Sequence, residues 1–148
     1  MDKDNTLKYM QHDGKEYGAT KVKCELTSEK AELSMDIAPA YAIEHLKSYM
    51  RKAALYKNSY IEIKDHIEGE VSCVISLMTY EKPTISKNVG NFADICIGDN
   101  ASIYVEGISK LYIEECPIED NRLGIMWKHS CYRILLELED KDFLMRVN

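Results

Sequence analysis

Apolar and polar residues alternate one for one through most of this 148-residue chain, and that period of two restricts it to half-buried β-strands. In "TKVKCEL", Val22, Cys24 and Leu26 share one face while Lys21, Lys23 and Glu25 share the other. "KAELSMDIA" repeats the pattern, with Ala31, Leu33, Met35 and Ile37 against Glu32, Ser34 and Asp36. The turn "TSEK" joins these two runs into a predicted hairpin. "YIEIKDHI" places Ile61, Ile63 and Ile67 together, and "EVSCVISL" does the same with Val71, Cys73, Ile75 and Leu77, with a tight turn expected at the Glu-Gly between them. "ADICIGDNASIYVEG" reads as a hairpin around Gly-Asp-Asn. "SKLYIEECP" is a strand stopped by Pro117, and "SCYRILLELEDKDFLMRV" a final hairpin turning at Glu-Asp-Lys-Asp.

About ten such strands, with turns every ~8–12 residues, predict an all-β fold, an antiparallel β-sandwich. One segment departs from the alternation: "APAYAIEHLKSYM" suggests a short helical turn near residues 40–46. The length fits one domain over residues 1–148, with no linker and no internal repeat.

Charge narrows the partners. Twenty-five acidic and 19 basic residues leave a net charge of −6. Nucleic acid and anionic membrane surfaces reward clustered Lys and Arg, so neither is expected as a partner. A polyanionic sugar is repelled as well unless the field is locally reversed. No run approaches the ~20 apolar residues that span a bilayer. The N-terminal stretch is polar and lacks the apolar core of a signal peptide, so the chain as given reads as cytoplasmic. The five cysteines, Cys24, Cys73, Cys96, Cys116 and Cys131, contain no C-x-x-C pair. They are expected to be reduced and mostly packed, without a zinc site.

Candidate chemistry is sparse. His12 and Asp13, near Asp2 and Asp4, suit a turn better than a metal site. His66 falls out of phase with its isoleucines and should face outward, and His45 has no partner at ligand spacing. No metal or cofactor is expected. Asp65 shares the parity of Ile61, Ile63 and Ile67. Either it is buried and needs a cation such as Arg51, or the strand ends near Lys64 and Asp65 lies in the turn. The turn is the reading carried forward.

The single tryptophan, Trp127, precedes a strand with Tyr132, Ile134, Leu136 and Leu138 on one face. It is either a lid closing the end of the core or, with Lys128 and His129, a platform for stacking a sugar. The core lid is the reading carried forward.

Several segments, in order, resemble the C-terminal β-sandwich of the heparinase II/III family of polysaccharide lyases. They are "DNTLKYMQHDGKEYGAT", "ELSMDIAPAY", the Arg-bearing "YMRKAALYKNSYIEIKDHIEG", "YEKPTI" and "PIEDNRLGIMWKHSCYRILLEL". The resemblance implies a support domain. In that family a helical toroid supplies the catalytic tyrosine and the group that neutralises the substrate carboxylate. A His-bearing strand of the sheet, placed by the resemblance upstream of Met1, completes the site. Asp4 stands where the family's entry segment has histidine. No catalytic residue of the family can therefore be assigned, and the chain alone is not expected to be catalytic.

The expectation is a non-catalytic β-sandwich module of a lyase-like protein that degrades uronic-acid-containing polysaccharides. Its partner would be the helical catalytic domain of the same parent, which could be periplasmic or secreted, with the acidic polysaccharide reached through that domain. The alternatives are a free-standing carbohydrate-binding module using Trp127, Lys128 and His129, and a purely structural or oligomer-forming sandwich.

Overall fold

The computed structural model describes residues 11–99, 101–127 and 130–148. Eleven strands run through them: β1 (Thr20–Leu26), β2 (Lys30–Asp36), β3 (Leu46–Tyr56), β4 (Ile61–Gly69), β5 (Val74–Thr79), β6 (Pro83–Val89), β7 (Phe92–Ile97), β8 (Ala101–Glu106), β9 (Ile108–Cys116), β10 (Cys131–Leu138) and β11 (Asp142–Val147). They form two antiparallel sheets, one of eight strands in the order β1-β2-β3-β4-β11-β8-β7-β6 and one of three in the order β5-β10-β9. The all-β sandwich expected from the alternation is what the chain adopts.

The eleventh strand is β6, which the alternation did not single out. It is an edge strand that opens on Pro83, where a missing N–H costs no ladder bond. The helical turn lies at Ala38–Tyr41, slightly earlier than expected, and Leu46 already belongs to β3. A short helix, α1 (Asn121–Met126), was not anticipated. Asp120 caps it by accepting hydrogen bonds from the backbone N–H groups of Arg122 (2.7 Å) and Leu123 (3.3 Å).

Two expected hairpins are not hairpins. β4 and β5 lie in different sheets, as do β10 and β11. The Glu-Gly step does not turn the chain back, because β4 continues through Gly69 and residues 70–73 then cross to the small sheet. Alternation identifies a strand but not its partner, and in a sandwich a short connection can cross the core as easily as reverse along one sheet. The crossing from β8 to β9 is made by one residue, Gly107, at φ +90°. A Cβ there would meet the Asp142 carbonyl oxygen at 2.2 Å, so glycine is required both by backbone angle and by space.

The core sits between the sheets. Ile75, Ile108, Ile134 and Leu136 of the small sheet pack on Ala93, Ile95, Val105, Phe143 and Met145 of the large one. A second cluster, Ile37, Tyr49 and Ile67, lies beside the 3-10 turn. Three strands cannot cover eight. The apolar face of the large sheet runs on uncovered at the β1–β2 end, where Leu26 is 75% exposed and Val22, Leu33, Leu55 and Ile61 are exposed too. The inward face expected for β1 exists, but nothing among the described residues covers it. Cys24 is therefore exposed, against the expectation of packing. The other four cysteines are partly buried, and none of the five is bonded to another.

Candidate binding cavity and the tryptophan platform

Where β5 crosses over β3, β4 and β11, the sheets gape around a cavity of about 470 Å³, within the range of small-molecule sites. Its lining is mostly aliphatic, including Ile43, Leu46, Ile63, Val71 and Leu77. A polar constellation is built into its wall through Arg51 and Tyr49. Asp65 lies within β4, directly opposite Arg51 of β3, and its side chain is fully buried. Arg51 Nε donates to Asp65 Oδ1 at 2.8 Å, and Nη2 to Oδ2 at 2.6 Å. The Tyr49 hydroxyl donates to the same Oδ2 at 2.9 Å and accepts from Arg51 Nη2 at 3.1 Å. Tyr41 stacks on Tyr49 with ring centroids 5.8 Å apart, and Gln11 donates to the Tyr41 hydroxyl.

The turn reading of Asp65 is thus overturned and the buried-pair reading holds. β4 runs four residues beyond Asp65, because Ile67 continues the inward face and has its own place in the core. The same parity that made Asp65 conspicuous in the sequence puts it on the apolar side of the sheet, and bidentate Arg51 satisfies it there. Sequence reasoning missed Tyr49 and did not connect Cys73, already read as inward-facing, with this pair. Tyr49 shares the parity of Arg51, and that was the available signal.

This constellation is poorly suited to proton transfer. Burial drives the Tyr49 phenol far above its ordinary range, and the charge of Asp65 adds to that. The hydrogen bond to Asp65 drives the Arg51 guanidinium up in the same way. Burial also raises the Cys73 thiol, partly offset by its hydrogen bond with Tyr49. A neutral phenol, a fixed cation and a protonated thiol can hold and orient a molecule, but none is poised as a base near neutral pH. No buried side-chain polar atom among the described residues lacks a partner.

Trp127 is not a core lid. It follows α1, its backbone N–H donating to the Leu123 carbonyl, and it stays 44% exposed. Its only ring contact among the described residues is edge-on to Tyr80, 5.5 Å between centroids. Leu123, Ile125 and Met126 are exposed beside it. Ile134 and Leu136, beside which Trp127 was expected to pack, are fully buried in a core cluster that does not include it. Lys128 and His129 lie outside the described residues.

Of the histidines weighed from the sequence, His66 faces outward as expected, with Nδ1 2.7 Å from Asp142 Oδ1. His12 stacks on Tyr17. No group of three or more possible metal ligands forms among the described residues, and no helix among them is long and apolar enough to cross a membrane.

Among solved structures, the chain is similar to heparan sulfate lyase HepC from Pedobacter heparinus, with a TM-score of 0.54 and 14% identity over 87% of this chain and 21% of that one. A mutant of that lyase gives a TM-score of 0.52 at 13% identity, over 87% of this chain and 21% of that one. Heparinase III gives 0.50 at 13%, over 86% and 20%. The fold is heparinase-like. At such identities the likeness is one of fold, and this chain spans only about a fifth of those enzymes. No family model and no curated protein matches the sequence. The relation first read from "YMRKAALYKNSYIEIKDHIEG" and its companion segments therefore has a structural counterpart in a shared β-domain.

Proposed function

We propose that this chain is the β-sandwich domain of a lyase acting on acidic, uronic-acid-containing polysaccharides, and that it supports the reaction rather than performing it. The observation that carries the reading is the heparinase-like fold across most of the chain. The chemistry is consistent with it. β-Elimination needs a neutralised carboxylate, a base for the acidic carbon proton and an acid for the leaving oxygen. Here the buried carboxylates are occupied: Asp65 by Arg51, Glu62 by Lys64 and Arg146, and Asp36 by Lys21. In this reading the missing groups come from a helical domain of the same parent protein. The uncovered apolar surfaces at β1–β2 and around α1 are the kind of area that packs against further protein.

The test is ultraviolet absorbance of the unsaturated product on incubation with heparan sulfate and alginate. The chain alone should yield none. Product at enzyme-like rates would overturn the reading.

A second reading, a carbohydrate-binding module, draws on the exposure of Trp127 and its edge contact with Tyr80, an amphipathic pair suited to a sugar face. Loss of glycan binding in Trp127→Ala with unaltered stability would favour it.

A further inference from the structure

β5 is an edge of the small sheet, hydrogen-bonded to β10 alone, and the cavity is the wedge beneath that edge. Ile75 and Leu77 line it from β5, and Ile63, Ile67 and Met145 from the large sheet. The sheets stay apart here for a reason that lies in the wall itself. Arg51 spends Nε and Nη2 on Asp65 and the Tyr49 hydroxyl. Its Nη1 has no hydrogen-bond partner among the described residues, yet no buried side-chain polar atom among them is unsatisfied. Nη1 therefore reaches open space, in keeping with a side chain that is 31% exposed. Closing the wedge would press its two N–H groups into an aliphatic lining with no acceptor.

A guest that brings an acceptor removes that cost. The rest of the wall asks for an apolar body, because Ile63 and Leu77 face the core and are only partly buried. A cavity of ~150 Å³ already takes benzene, so about 470 Å³ has room for a ring with a short side chain.

Charge selects the acceptor. Arg51 is the one charged side chain in the lining among the described residues, and the Asp65 carboxylate balances it at 2.6 Å. Outside the lining, Lys141 is committed to the Val71 carbonyl oxygen at 2.8 Å, and Glu44 and Glu70 adjoin Ile43 and Val71 in the chain. A guest carboxylate would bring an uncompensated negative charge into a mostly aliphatic site beside Asp65. A carbonyl or hydroxyl oxygen accepts from Nη1 without adding charge.

We propose that this cavity binds a small, neutral, largely apolar molecule whose carbonyl or hydroxyl oxygen accepts a hydrogen bond from Arg51 Nη1. The site goes beyond the lyase reading and does not rest on it.

The experiment is a nuclear magnetic resonance titration of the full chain at neutral pH, observing methyl and guanidinium groups. Three probes of nearly one shape are compared: benzylacetone, which carries a carbonyl, butylbenzene, which carries no acceptor, and hydrocinnamate, which carries a carboxylate. Benzylacetone should shift the methyl signals of Ile63 and Leu77 and the guanidinium signals of Arg51, leaving Leu26 and Leu123 on the uncovered apolar surfaces unmoved. Hydrocinnamate should bind about tenfold more weakly. Arg51→Met with Asp65→Leu should weaken benzylacetone about tenfold and leave butylbenzene within about twofold. If that variant does not fold, the parent chain still decides: benzylacetone should move the Arg51 guanidinium and butylbenzene should not. Shifts confined to Leu26 or Leu123, or no shift with any probe, overturn the site. Hydrocinnamate binding as tightly as benzylacetone, or butylbenzene moving the guanidinium as far, overturns the neutral acceptor and with it the proposal. The lyase reading stands or falls separately, on the product assay.

Discussion

Arg51 and Asp65 face each other across β3 and β4 on the apolar side of the large sheet, joined by two hydrogen bonds of 2.8 and 2.6 Å. A carboxylate with a fully buried side chain is tolerated there because its oxygens are satisfied by Arg51 and by the Tyr49 hydroxyl. Removing one partner should hurt more than removing both. Arg51→Ala should cost about 3–5 kcal/mol by stranding Asp65. Arg51→Met with Asp65→Leu should recover much of that loss. Urea unfolding checks it, and a single-variant loss under ~1 kcal/mol would refute the role given to the pair.

Asp36 predicts an acid limb. Burial pushes its carboxyl up, but hydrogen bonds from the backbone N–H of Tyr49, the Lys21 ammonium, the backbone N–H of Ala38 and the Ser48 hydroxyl outweigh burial and hold it at about 2. A pKa lowered on folding adds stability above the unfolded value, and that stability is lost as pH falls through the folded one. About 2 kcal/mol should therefore disappear between roughly pH 4 and pH 2. In Asp36→Asn the stability difference between those pH values should shrink by a similar amount, measured by urea unfolding at each pH.

Trp127 should contribute little to stability. Half exposed and touching one ring edge, it gains far less from folding than a core tryptophan. Trp127→Ala should cost under about 1 kcal/mol, where a core lid would cost ~3–5. Its emission should be red-shifted and readily quenched by acrylamide. A protected, blue-shifted emission would contradict the exposed placement.

The thiols should separate by exposure. Cys24 should react with a thiol reagent at once, and Cys73, raised by burial, much more slowly. Cys116 and Cys131 face each other across β9 and β10, so a mild oxidant should join that pair before any other. Peptide mapping after oxidation decides the matter: a first intramolecular bridge other than Cys116–Cys131 would count against this register.

Much of the sheet was legible because alternation is a local property. The parity of Ile61, Ile63 and Ile67 named the inward face of β4 correctly, and Asp65 shared that parity although it was read as lying in a turn. Helix α1 was missed although Asp120 is an ordinary N-cap residue, since six residues hold too little periodicity to stand out. The row of Lys23, Lys52 and Lys64 across β1, β3 and β4 was invisible for a different reason. Lys23, Lys52 and Lys64 are far apart in the chain, and only the register aligns them.

The residue pattern by itself determined that this protein is built of strands, where most of them run and which side of each is apolar, because those properties depend on neighbours two positions away. Tertiary structure decided which strands pair and which cross between sheets. It also decided what is covered: β1 has an apolar stripe as clear as that of β4, yet Leu26 is exposed and Ile67 is buried. Burial needs a second layer above the stripe, and a three-stranded sheet lies over only part of an eight-stranded one. Trp127 shows the same dependence on tertiary structure, since Ile134 and Leu136 are buried in the core and the indole stays exposed.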